Sequence, residues 1–355
     1  MSDDIYERLR AFLDTLPTGF PATPTGIELR ILKKLFTPEE AELTMNLRSD
    51  PEDLSSIAAR LGREEAELGS KLEEMVRKGL IFRVREGDRV SYQAFQFMIG
   101  IYEFQVKNLD EEFSRMFEEY LPYVGISLAY VKTKQLRVIP VASSVTALHN
   151  VAPYNKIRDL VKAQELISVA ECICRKEQHF LGKECDRPKE TCLGFGQFAR
   201  FYIDNLWGRQ ITVEEALKIL DLAEETGLVL SPSNTRELSN ICCCCPCCCP
   251  ILRAVKMVPQ SKYVTTSYYL AHIDPEACIN CGLCRERCQV EAIRERDGLS
   301  EILVKKCIGC GLCVGTCPEE AISLLEKPGM EVPPLDLNET LKKIGAERMA
   351  LQNRS

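Results

Sequence analysis

The apolar positions of residues 37–98 change period along the segment, and the changes mark out elements. Thr37-Pro38-Glu39-Glu40 has the spacing of a capping box and predicts a helix start. Asp53 to Leu61 predicts a short helix ended by Gly62. Arg63 to Lys78 places Leu68, Leu72 and Val76 on one helical face, with Gly79 as its stop. IFRVREGDRVSYQAF (81–95) then alternates with period two around Gly87-Asp88, the pattern of a β-hairpin.

Further along, 99–122 reads as helix with a stripe of Phe104, Phe113, Met116 and Phe117. QLRVIPVA (135–142) reads as a strand, Asn155 to Val169 as a helix running into Cys172, and Gly194 to Trp207 as another helix. Thr212-Val213-Glu214-Glu215 repeats the capping-box spacing and opens a helix that ends at Gly227. Pro333-Pro334-Leu335 begins a tail with a short final helix over 338–350. The helix, helix, helix, hairpin order of 37–98 resembles a winged helix-turn-helix domain, in topology only and without a diagnostic motif. That resemblance implies DNA binding through the third helix. Over Arg63–Gly79, however, four basic residues face five acidic ones, and a groove-reading helix should not be net acidic. A protein-docking or dimerisation module is the expectation.

Charge extends this reading to the whole N-terminal part. Side chains of residues 1–120 sum to −8 and those of 121–355 to +1, together the −7 of the 355-residue chain. Such a segment does not attract phosphate backbones, so a nucleic-acid partner is not expected. No apolar run reaches the ~18 residues of a membrane span, and MSDDIYERLR lacks the cationic and apolar parts of a secretory leader. A cytoplasmic protein is expected.

Cysteine changes the picture most. There are 19, and the first 171 residues hold none of them. A disulfide scaffold is usually short and secreted, so a long acidic chain with an odd count points to bound metal in a reducing compartment. The strongest signal is a repeat: CINCGLCRERCQVEAI (278–293) aligns with CIGCGLCVGTCPEEAI (307–322), identical at ten of sixteen positions. Each copy is Cys-x2-Cys-x2-Cys-x3-Cys. The tight loop lets three thiolates converge on a small inorganic cube, and Gly282 and Gly311 let the backbone wrap close to it. The fourth cysteine has by then turned away and can serve the other centre. Cys278, Cys281 and Cys284 should therefore pair with Cys317, and Cys307, Cys310 and Cys313 with Cys288, each set holding one [4Fe–4S] cluster. Residues 270–325 closely resemble bacterial two-cluster ferredoxins, with Gln289 where that family usually has proline and Pro318 kept in the second copy. The resemblance implies one-electron transfer at low potential. Duplicated triplets are not zinc spacing.

Eleven cysteines remain. Cys172, Cys174, Cys185 and Cys192 form a four-thiolate set suited to one cluster, with zinc as the alternative. His179 lies within it as a further possible donor, and Arg175, Lys176 and Lys183 could offset its charge. The run ICCCCPCCCP supplies Cys242, Cys244, Cys245, Cys247, Cys248 and Cys249 as candidate ligands, with Cys242/Cys245, Cys244/Cys247 and Cys245/Cys248 at ligating spacing; the bland alternative is a vicinal disulfide. Residues 155–325 also resemble, more loosely, a group of anaerobic ferredoxin-like proteins with a C-x-C-R segment and a Cys–Asn–Cys–Cys–x–Cys–Cys–Cys run. Cys243 stands where that run has Asn, which makes it the least suited ligand. The two segments together are expected to hold one or two further iron–sulfur clusters.

The expected architecture is α+β and multidomain. A mostly helical winged-helix-like docking domain (1–122) is followed by a helical cysteine-rich domain (123–265), a ferredoxin-like two-cluster domain (266–328) and a tail (329–355). Neither G-x-G-x-x-G after a strand nor a P-loop is present, and with three histidines (His149, His179, His272) no nucleophilic constellation is legible. The function expected is an iron–sulfur protein passing single electrons between anaerobic redox partners, such as a flavoprotein or reductase. The N-terminal domain would dock a partner or a second copy. Two alternatives are a cluster-sensing transcription regulator and a reductase subunit with substrate chemistry at 242–249.

Overall fold

The computed structural model describes residues 2–145 and 151–352; His149 lies outside them. The N-terminal part comprises α1 (Ser2–Thr15), α2 (Ile27–Leu35), α3 (Pro38–Met45), β1 (Glu52–Asp53), α4 (Leu54–Leu61), α5 (Glu65–Arg77), β2 (Phe82–Glu86), β3 (Arg89–Gln93) and α6 (Glu111–Ala129). Thr37 and Glu40 make the reciprocal capping box that starts α3. The hairpin turns at Gly87-Asp88, and β1 adds to it on the far side of β3. Residues 97–105 are two short irregular turns, so the helix expected over 99–122 starts only at Glu111, where Asp110 caps it, and runs on past residue 122. Gly100 N donates to Glu103 Oε2 at 2.7 Å within that irregular stretch.

The rest of the chain contains β4 (Arg137–Val138), a single turn α7 (Ala142–Val145), α8 (Ile157–Lys162), β5 (Ile167–Glu171), α9 (Ile173–Phe180), β6 (Glu190–Phe195), α10 (Gly196–Asp204) and β7 (Gly208–Ile211). After these come α11 (Val213–Glu225), β8 (Val229–Pro232), β9 (Asn240–Cys244), α12 (Pro250–Met257), β10 (Thr266–Ser267), β11 (Tyr269–Ile273), α13 (Leu283–Arg287), β12 (Ile293–Arg296), β13 (Leu299–Ile302), β14 (Ile322–Glu326) and α14 (Leu337–Gln352). The middle part is therefore not simply helical. Five antiparallel strands in the order β7-β5-β6-β9-β8 form a sheet through it, and the helix expected over 155–169 stops at Lys162 before a strand. The sheet is covered on both sides. α10, through Phe201 and Tyr202, covers Ala170 on one face together with Trp207 and the N-terminal aromatics, while α8 and α11 close over Ile167, Val169 and Leu193 on the other. Strands buried on both faces lose the polar half of their alternation and read like buried helix.

This packing ties the N-terminal hairpin to the middle sheet. Phe82 lies 4.5 Å from Phe201 and 5.1 Å from Phe198, centroid to centroid. Buried Arg83 bridges Glu73 of α5 and Asp204 of α10. The final helix also docks: Arg348 on α14 donates to the carbonyls of Asp14 and Leu16 and to the Asp14 carboxylate.

The expected strand at 135–142 shrinks to two residues, which pair in parallel with β10 and so join the middle sheet to the C-terminal part. Arg137 within it is fully buried and donates to the carbonyls of Ser233, Thr235 and Tyr154 at 2.6, 2.5 and 2.6 Å. Arg137→Met strips three buried carbonyls of their charged donor and should lower unfolding free energy by about 3–5 kcal/mol. A chemical-denaturation midpoint equal to that of the unmodified chain would show that those carbonyls find other donors.

Candidate metal centres

In the C-terminal part, β11 pairs with β14 and β12 with β13, which brings the two repeats together head to tail. Equivalent residues of the repeats share unusual backbone. Asn280 and Gly309 have φ of 52° and 60°, Gly282 and Gly311 84° and 76°, and Glu291 and Glu320 55° and 49°. Left-handed residues between consecutive cysteines curl each loop inward around its own centre, which is how three thiols so close in sequence come to face one point.

Two cavities result. One is lined by Cys278, Cys281, Cys284 and, from the other repeat, Cys317. The second is lined by Cys307, Cys310 and Cys313 together with Cys288. The second is otherwise walled by apolar residues, among them Val290, Ile293, Ile302, Ile308 and Leu312, whereas the first sets Asn280, Ser300 and Glu319 beside Ile273 and Ile322. In the second, Ala292 N donates to Cys288 Sγ at 3.1 Å, and Ala271 N and Gly309 N donate to Cys307 Sγ at 3.4 Å. Burial pushes the Cys310 thiol up to about 12 and raises Cys288 and Cys313 as well. Buried thiols with backbone N–H groups already aimed at sulfur suit a metal that deprotonates them, and the donor set fits an iron–sulfur cluster. The two cavities adjoin along β11, whose Ala271 lines the second and whose Ile273 lines the first. The first lies nearer the surface, with Cys281 exposed and Ile279 and Leu283 exposed beside it.

The other eleven cysteines gather where the middle sheet meets α9 and α12. Cys192 on β6 and Cys242 on β9 are direct cross-strand partners. Along β9 the side chains alternate, so Cys242 and Cys244 share one face and Cys243 points to the other. Cys243 is 2% exposed in the apolar core, and burial pushes its thiol up to about 12. Cys172 and Cys249 stand at the N-caps of α9 and α12; Cys244 and burial push the Cys249 thiol up. Cys172 neighbours Cys174, while Cys192 neighbours Cys242 and Cys244 neighbours Cys242 and Cys249, giving a pair and a set of four that feel each other's charge, six thiols in all. The hydrogen bond with Cys174 holds Cys172 at about 7 against burial.

Cys185 does not join these six. Its sulfur lies 3.9 Å from Cys245 and 3.5 Å from Cys247, and Cys248 lies 3.7 Å from Cys247. The expected set of Cys172, Cys174, Cys185 and Cys192 is thus divided. Of the pairs expected within the run, Cys245/Cys248 meets, whereas Cys242 turns to Cys192 and Cys244 to Cys249. Arg175, 4% exposed, sits between the groups within range of Cys172, Cys244 and Cys245, and is fixed by Thr191 Oγ1 and the Cys243 carbonyl at 2.6 and 2.7 Å. His179 is exposed, with Nδ1 3.5 Å from Glu184 Oε1.

Sequence reasoning missed the buried polar residues around the six thiols. Glu177 is 1% exposed, and burial, reinforced by Glu118, pushes its carboxyl up to about 8. Glu118 is itself paired with Arg253. Tyr102 and Tyr202 complete this wall, both raised by burial. A charged residue at helical spacing normally reads as a solvated face, so no local signal marked Glu177.

Residues 271–324 match the family model of the 4Fe-4S dicluster domain. No curated protein and no solved structure matches the chain. No helix among the described residues is long and apolar enough to cross a membrane.

Proposed function

We propose that the protein is a multicentre iron–sulfur electron carrier. Its dicluster domain would hold two [4Fe–4S] clusters, and its middle cysteines further metal. The observation that carries this reading is the composition of the two adjoining cavities, each walled by three cysteines of one repeat and the fourth of the other. When bound, such clusters supply one-electron transfer. Cys278, Cys281, Cys284 and Cys317 would hold the outer one, and Cys288, Cys307, Cys310 and Cys313 the inner. The N–H groups of Ala271, Ala292 and Gly309 would stabilise thiolate charge, and the apolar walls exclude water from the inner cavity. The exposed apolar edge at Ile279 and Leu283 is where a redox partner, a flavoprotein or reductase, would approach.

The winged-helix-like unit would serve docking, not base reading. Three of the four cations of α5 and its flanks are engaged by carboxylates: Arg63 with Glu67, Lys71 with Glu74, and Lys78 with buried Glu40 at 2.7 Å. Its hairpin is held against α10, where Gln197 accepts from Arg85 N and donates to Arg85 O. A cytoplasmic setting agrees with this chemistry, because so many free thiols need a reducing compartment.

The test is anaerobic reduction of the full chain followed by electron paramagnetic resonance. Two reducible centres close enough to broaden one another's signals are expected. A chain that binds eight or more irons and cannot be reduced by a strong one-electron donor would sink the electron-carrier reading.

A further inference from the structure

The four sulfurs of Cys185, Cys245, Cys247 and Cys248 all lie within 4.8 Å of one another. The contacts of 3.5, 3.7 and 3.9 Å cluster around one value. That value has a geometric meaning. A single metal ion with metal–sulfur bonds of about 2.3 Å spaces four tetrahedral thiolates about 3.8 Å apart. A cubane cluster places a whole iron–sulfide cube between its thiolates and holds them much farther apart. The six thiols next to it are a pair and an open chain of four, and only the Cys185 group closes to this compactness among the described residues.

We propose that Cys185, Cys245, Cys247 and Cys248 form a mononuclear tetrathiolate site for one zinc or iron ion, separate from every cluster of the protein. The inference deepens the reading that the middle cysteines hold metal, and rests on it. Four protein ligands close the coordination shell, the arrangement of a structural site. The chain order makes the same point. Cys185 lies on the irregular segment between α9 and β6, and the other three lie on the turn between β9 and α12. A shared ion would pin that segment to the turn. Pro246 fits this use, since its fixed φ sets the turn on which Cys245 and Cys247 point back toward Cys185. The geometry also disfavours a simple disulfide between Cys185 and Cys247, because two more thiols crowd the same point. On binding, each thiol would exchange its proton for a metal–sulfur bond. Arg175 beside Cys245 would offset part of the resulting negative charge.

The experiment compares metal and acid-labile sulfide in anaerobically purified full-length protein, in Cys247→Ser and in Cys185→Ser. Cys247 is exposed, so its change to serine leaves the core packing in place. Each variant should lose one metal ion per chain with sulfide unchanged. Loss of zinc identifies zinc as the occupant, and loss of one iron identifies a single-iron site. A fall of several irons together with an equal number of sulfides would place these cysteines on a cluster and overturn the proposal. So would unmodified protein whose metal content matches the variants, or a Cys185–Cys247 disulfide found under the same anaerobic conditions. Cobalt loading gives a second readout independent of the variants: the intense visible bands of tetrahedral cobalt thiolate should appear in the unmodified chain and be absent from Cys247→Ser. These counts leave the electron-carrier reading untouched, since reduction of the dicluster domain is measured separately.

Discussion

Cys288→Ala should remove about four irons and four sulfides per chain, and adding Cys307→Ala should remove no more. Adding Cys278→Ala to Cys288→Ala should instead remove about eight. The reasoning is geometric. Cys288 follows the first triplet by four residues, yet its sulfur lines the cavity of the second triplet, where Ala292 N donates to it. Cys317 does the reverse. If each fourth cysteine served its own triplet, the non-additive pair would be Cys288 with Cys278, and the two double variants would exchange results. Metal and sulfide analysis of the two double variants therefore decides the ligand pairing without a structure of the loaded protein.

Gly309→Ala is expected to lower stability by about 4 kcal/mol or more, beyond the range of ordinary substitutions. A Cβ at this position would lie 2.1 Å from the Tyr269 carbonyl oxygen and 2.7 Å from Ser267 Oγ, and the residue has a φ of 60°. The obstructing atom belongs to the backbone of β11, which is fixed by its pairing with β14, so it cannot turn aside as a side chain would. Gly87→Ala is the matched control. It has φ 59° and open space around it, so only the left-handed cost of about 1–2 kcal/mol applies. Denaturation midpoints of the two variants separate the clash from the torsion. Equal losses would show that β11 yields to the added methyl. The corresponding position of the first repeat is already Asn280, a residue that tolerates left-handed backbone, and the loop holds the same turn there.

The contrast between the repeats and the middle part explains what was readable along the chain. The caps at Thr37 and Thr212, the stop at Gly62 and the hairpin around Gly87 are decided within a few residues, and they appear where the sequence predicts them. The segment 155–171 misleads because ISVA is a strand buried on both faces, and the helices covering it come from elsewhere in the chain. Cys185 illustrates the same limit for the site. Seven residues before Cys192, it reads as part of one local motif, but the connecting segment carries it to Cys245 and Cys247, some sixty residues away. Cys243 was separable from its neighbours by resemblance alone. The strand supplies the reason, since alternation sends every second side chain to the core.

By itself the sequence determined the dicluster domain and its eight cysteines, because Cys-x2-Cys-x2-Cys spacing acts over a single loop whose reach is set by covalent geometry. It also determined that the remaining sulfur is too dense to be incidental. Only the tertiary structure decided how those eleven cysteines divide: a pair at the start of α9, four across β6, β9 and the start of α12, four in a compact tetrad, and one in the core. That division depends on strand register and on the docking of α9 and α12, which are fixed by burying a sheet assembled from distant segments, and spacing along the chain carries no record of it.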